Sequence, residues 1–117
     1  MRIRATTGRT YGGVSAALEM SCELFVRPEA ERDLASSYAF YQECRHGLGD
    51  DFLISVEESF ERISKNPFLY PEIHRGIRRA LLRRFPYGVF YLVIDGRISI
   101  LAVLHAARDP EAWQARG

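Results

Sequence analysis

The sequence predicts an α+β domain in which a helical hairpin packs on a small antiparallel sheet, and three features carry that expectation. Asp95-Gly96 stands between two apolar runs, Tyr87 to Ile94 and Arg97 to His105, and Asp-Gly tolerates the positive φ angles of a tight hairpin turn. Upstream, two segments repeat apolar residues at helical spacing and are separated by the break His46-Gly47-Leu48-Gly49. Before them, Glu23 to Val26 is a short apolar segment closed by Arg27-Pro28, which suits a strand ending where a helix begins. A chain of 117 residues is enough for one core and too short for a second domain.

Residues 1–20 differ from the rest, being rich in Gly, Thr and Arg and free of acids before Glu19. They read as a tail, with Met20 as an alternative start and residues 21–117 as the domain. They lack the apolar stretch of a secretory signal, and their likeness to an organellar transit peptide is compositional only. After Pro28, Glu29 and Glu31 fall in the first turn of a helix, favourable to its dipole. Ala30, Leu34, Tyr38 and Tyr41 form its apolar stripe, which runs to about Cys44. Asp50 or Asp51 is the expected cap of the second helix, with Leu53, Val56, Phe60 and Ile63 inward and Glu57, Glu58, Glu61 and Arg62 toward water. Asn66-Pro67 ends it, and a loop with two aromatics, Phe68 and Tyr70, runs to Gly76. Asp109 and Pro110 are suited to start one last helical turn, which holds the only tryptophan, Trp113.

In the first run of the sheet, Tyr87, Val89, Tyr91 and Val93 point to one face and Gly88, Phe90, Leu92 and Ile94 to the other. Both faces are largely apolar, so both need cover. The helical hairpin supplies one cover; the second must come from a partner chain or from the loop and C-terminal turn. Charge is divided between the halves. From Glu23 to Glu72 eleven acids face five bases, a balance of −6, whereas from Ile73 onward eight arginines face three acids, a balance of +5. A basic sheet half suits an acidic partner, or simply solvated arginines at strand ends. Cys22 and Cys44, without a CxxC pair or histidines at ligand spacing, give no metal site and are expected as two buried free thiols. No apolar run is long enough to cross a bilayer, and a cytoplasmic location is expected.

The order strand, helix, helix, loop, three antiparallel strands resembles the RelE/ParE superfamily of toxins from type II toxin–antitoxin modules. The residues that carry the resemblance are VRPEAERDL at the first helix, GLGDDF at the second, NPFLYP in the loop, RRALLRRFPYGVFY across two strands, and ILAVLHAARDPEAW at the end. It spans roughly Ser21 to Trp113. It implies a small toxin without a cofactor, held inactive by a cognate antitoxin that wraps it with helices and an extended segment. The apolar sheet residues Tyr87, Val89, Tyr91, Leu101 and Val103 are the candidates for that contact.

The superfamily has two mechanisms. RelE-like members cleave messenger RNA in the ribosome without a metal, whereas ParE-like members bind DNA gyrase and turn it into a source of DNA breaks. Metal-free cleavage needs an acid, a base and a phosphate clamp. His105 is the acid–base candidate, Arg83 and Arg108 lead the clamp candidates beside Arg78, Arg79 and Arg84, and Tyr87 or Tyr91 offers a face to stack on a base. Alternation sets Arg79 and Arg83 on one face and Arg78 and Arg84 on the other, against a single clamp. His105, at the end of an apolar strand, also suits a plain hydrogen bond to the loop that follows. RelE-like sites bring several lysines and a C-terminal Tyr or His; this chain has one lysine, Lys65, and ends RDPEAWQARG. These departures turn the resemblance toward ParE, with Arg83, Arg84, Arg108 and Trp113 as the target-binding candidates. Trp113 as a core plug and a non-toxic partner-binding module are the other readings.

Overall fold

The computed structural model describes Thr10–Tyr11 and residues 22–117. The expectation of a tail over residues 1–20 lies outside that range except at Thr10–Tyr11, whose backbone forms a two-residue strand, β1. There follow β2 (Leu24–Val26), α1 (Pro28–Cys44), α2 (Leu48–Lys65), β3 (Glu72–His74), β4 (Ile77–Leu81), β5 (Tyr87–Ile94), β6 (Arg97–His105) and α3 (Glu111–Gln114). Among the described residues the sheet order is β1-β2-β6-β5-β4-β3.

The helical hairpin forms where the periodicity places it, with one correction at its turn. Asp50 and Asp51 do not cap α2; they lie in its first turn, because Gly47 takes a left-handed φ of 91° and starts the helix at Leu48. Gly49 then lets the two helices meet closely. A Cβ there would lie 2.7 Å from the Tyr38 carbonyl oxygen and 2.8 Å from Gln42 Oε1, which accepts the Gly49 N–H at 2.9 Å. Phe52 joins the expected Leu53, Val56, Phe60 and Ile63 in the core beneath α2. Cys22 and Cys44 are both free, but the expected burial fails: Cys22 is half-buried and Cys44, the last residue of α1, is exposed.

At Asp95-Gly96 both φ angles are positive, 51° and 76°, and β5 pairs with β6 from Ile94↔Arg97 to Tyr87↔His105. Three features of the sheet depart from the sequence reading. β2 lies parallel to β6, so the sheet is mixed. Part of the expected loop, Glu72–His74, adds an edge strand to β4. The β5–β6 register shifts between Phe90 and Tyr91, whose partners are Ala102 and Ile100, so Leu101 is an extra residue in β6.

Both sheet faces are covered by the chain itself. The helical hairpin buries one core, which includes Leu24, Val26, Tyr87, Val89, Tyr91, Ile98, Ile100 and Val103. On the other face Trp113 of α3, only 7% exposed, closes a second core of Ile77, Phe90, Leu101, Ala102 and Leu104. Its indole stacks on Phe90 with centroids 4.7 Å apart, and His74 meets it edge-on at 6.0 Å.

An ion pair fastens α3 in place. β2 stops at Val26, while β6 continues and exposes an edge. There the Val103 N–H donates to Asp33 Oδ2 at 3.0 Å, and Arg116 Nη1 donates to the same oxygen at 2.7 Å and to the Leu101 carbonyl at 3.1 Å. Arg27 completes the seam, donating through Nη1 to the Arg116 carbonyl and through Nε to Ser99 Oγ. Asp33 and Arg116 thus satisfy strand groups that no other described strand pairs.

Candidate functional site

Three exposed arginines, Arg83, Arg84 and Arg108, lie where β4 ends, β5 begins and β6 ends. Residues 82–86 turn back from β4 to β5, with the Leu82 N–H donating to the Tyr87 carbonyl at 2.9 Å. The turn after β6 abuts this one through the Ala106 N–H, which donates to the Pro86 carbonyl at 2.8 Å. Beneath both lies an aromatic cluster: Phe52 packs against Tyr87 at 5.0 Å and Phe85 at 5.3 Å, and Tyr41 against Phe85 at 5.0 Å. Rigid rings under two short turns fix where the polar groups project.

Arg83 and Arg84 lie in the turn, past the last residue of β4, so strand alternation does not divide them. Both are exposed. The Arg84 guanidinium lies 3.7 Å from Asp51 and 5.7 Å from the centre of the Phe85 ring. Arg45, just past the end of α1, reaches the same carboxylate at 4.0 Å. Neither Arg45 nor Asp51 was assigned a site role from the sequence. Opposite charges flanking the tight turn between two helices were the available signal. Arg78 and Arg79 belong elsewhere: Arg78 donates to the Tyr70 carbonyl at 2.7 Å and covers Phe68, while the Arg79 chain packs along Gly88.

His105, Arg108 and Tyr87 converge with Ser36, Ser37, Phe40, Tyr41 and Leu104 around an open cleft of about 420 Å³. His105 is exposed, its ring meets Tyr87 edge-on at 5.5 Å, and its Nδ1 accepts the Ala107 N–H at 3.0 Å. That is the plain loop contact the sequence allowed. Burial, then the neighbouring Tyr87 phenol, push the Tyr41 hydroxyl up to about 12. It is a neutral hydrogen-bonding group at pH 7.

Of the residues expected to meet an antitoxin, Val89, Tyr91, Leu101 and Val103 are fully buried core residues, and Tyr87, largely buried, keeps an edge on the cleft. Tyr87, Val89, Tyr91 and Val103 lie under the helical hairpin, and Leu101 lies on the opposite face under Trp113. The bulge at Leu101 is the reason that Leu101 and Val103, two positions apart, do not share a face. Trp113 is likewise buried, as a core plug. Among the described residues no group of three or more His, Cys, Asp or Glu could hold a metal ion, and no helix is long and apolar enough to cross a membrane.

Comparison with known families places this geometry. The family "ParE toxin of type II toxin-antitoxin system, parDE" matches residues 24–110, from β2 through β6 to the start of the last turn. The chain belongs to this ParE toxin family. Its similarity to Toxin ParE2 of Mycobacterium tuberculosis is 30% identity over 97 residues, 82% of this chain and 92% of the relative, in both strain CDC 1551 / Oshkosh and strain ATCC 25618 / H37Rv. A solved chain from the chromosomal ParDE TA system of P. aeruginosa shares the fold, with a TM-score of 0.63 at 19% identity, over 68% of this ParE chain and 90% of that one. The α+β architecture of this ParE toxin is thus that of a ParDE protein. The matched span contains Arg45, Arg83, Arg84, His105 and Arg108; Trp113 lies just outside it.

Proposed function

We propose that this ParE-family toxin binds DNA gyrase and traps it as a source of DNA breaks, without catalysis of its own, and that a cognate antitoxin neutralises it. The observation that carries the reading is the disposition of the arginines. Arg83 and Arg84 are exposed in the turn between β4 and β5 and Arg108 in the abutting turn after β6, and of the three Arg108 alone lines the cleft with His105. A spread of exposed guanidiniums suits contact with a protein surface.

One observation favours the ribonuclease reading: His105, Arg108 and Tyr87 line the same cleft. The groups there are poorly matched to acid–base work. Nδ1 of His105 is engaged by the Ala107 N–H, and Tyr41, with its hydroxyl near 12, stays protonated at neutral pH and does not serve as a base. Arg83 and Arg84 do not line the cleft. The test is a plasmid supercoiling and cleavage assay with purified gyrase and toxin freed from its antitoxin. Lost supercoiling with trapped double-strand breaks is the expected result. Untouched gyrase, with toxin that rebinds antitoxin, would overturn the reading and return His105 and Arg108 to ribosome-dependent RNA cleavage.

A further inference from the structure

We infer that the cleft between α1 and the end of β6 is where the antitoxin docks its neutralising segment, and that this segment is acidic and anchored by an apolar side chain. The inference rests on the toxin–antitoxin reading and adds to it a location and a chemistry. Phe40 is 60% exposed on the cleft rim, although Tyr41, one residue on, packs into the aromatic cluster. An exposed ring beside a cleft lined by Tyr41, Tyr87 and Leu104 offers a seat for an apolar side chain.

Charge selects the occupant. Among the described residues Arg108 lines the cleft and no carboxylate does. The nearest acid in sequence, Asp109, is engaged through Oδ1 by the Glu111 N–H at the start of α3. Beyond the cleft stand Arg83, Arg84 and Arg45, with Asp51 shared by the last two. A carboxylate on Arg108 therefore enters a region of net positive charge. Two other exposed apolar sites lack this match. The hollow at Phe25 and Ile94 is lined by Glu23 and Asp95 with Arg97, and Arg97 already pairs with Glu23 at 3.5 Å. At Phe68 and Leu69 the adjacent guanidinium, Arg78, is committed to the Tyr70 carbonyl and the Phe68 ring. A segment seated in the α1–β6 cleft lies over Arg108 and beside Arg83 and Arg84, so the antitoxin and the target compete for one end of the toxin.

The test measures affinity between the full toxin chain and the product of the reading frame adjoining its gene. Phe40→Ala and Arg108→Glu are each expected to weaken the complex at least tenfold, and Arg108→Glu also to flatten its salt dependence. Ser36→Glu, on the exposed rim of α1, adds a like charge without removing a packed group and is expected to weaken it several-fold. Phe68→Ala is expected to change it less than threefold, and circular dichroism checks that each variant is folded. Affinity within twofold of the parent for all three cleft variants, or a loss at Phe68→Ala equal to theirs, would overturn the proposal. Gyrase left untouched by a toxin whose cleft variants still lose the antitoxin would refute the gyrase reading and leave this surface standing.

Discussion

Substituting Asp33 by Ala isolates the contact that fastens the C-terminal helix to the sheet. Its carboxylate accepts from Arg116 at 2.7 Å and from the Val103 N–H at 3.0 Å, with side-chain exposures of 11% for Asp33 and 22% for Arg116. Removing one partner of a buried pair costs about 3–5 kcal/mol, and an orphaned buried N–H about 1–3 kcal/mol. These overlap, and the partly exposed Arg116 can turn toward water, so the net loss is about 3 kcal/mol. For a domain near this size that lowers Tm by roughly 12 °C or more. Asp33→Asn keeps an acceptor for Val103 and is expected to lose about 1–2 kcal/mol. The assay is urea unfolding of Asp33→Ala, Arg116→Met and the double variant, followed by tryptophan fluorescence, since Trp113 sits in the core that the pair closes. A loss below about 0.5 kcal/mol for Asp33→Ala, or additive single effects, would refute the claim that the pair holds α3 in place.

Gly49→Ala places a methyl 2.7 Å from the Tyr38 carbonyl, so the helices must part; a loss of about 2–3 kcal/mol in urea unfolding is expected, and a neutral result would mean the hairpin is looser than drawn. Tyr91 is fully buried and donates to the Pro67 carbonyl at 2.7 Å, and burial, eased in part by Arg78, pushes its hydroxyl up to about 12. A folded value above the ordinary 10 gives stability fully present below pH 10 and lost as pH rises toward 12, about 2–3 kcal/mol in all. Tyr91→Phe should cost about 1–2 kcal/mol at neutral pH and shrink that alkaline loss, as read by denaturation at several pH values. Arg83→Ala with Arg84→Ala should shift stability by less than about 1 kcal/mol, since the Arg84–Asp51 pair is exposed, while gyrase inhibition falls; unfolding of this variant would make the arginines structural.

What could be read from the sequence was what local chemistry decides. Asp95-Gly96 specifies its turn because few other pairs accept two positive φ angles, and the stripes of α1 and α2 follow from helical period. Interactions between distant segments were invisible. Nothing near Leu101 announces a bulge, because it is set by how β5 and β6 settle against two different cores. The cover of the second face was posed as a choice between partner and self, and hydrophobicity alone cannot decide it; stacking of Trp113 on Phe90 does. For the site, alternation was carried through Arg83 and Arg84 although Leu81 ends the strand, so it gives no ground for separating them. Of the two uses given to His105, the Ala107 N–H realises the plainer one.

The position of β6 has a consequence for how the toxin comes into being. It is the last of the described strands in chain order, yet it lies inside the sheet, with β2 on one side and β5 on the other. Leu24–Val26 cannot find Ile98–Ile100 until β6 has left the ribosome, and Asp33 must wait longer still for Arg116. Nascent helices therefore emerge with their apolar stripes unclaimed, and the slow closure of long-range pairings follows the emergence of β6. A chain halted before β6 lacks the strand whose residues enter both cores, so neither face of the sheet can close.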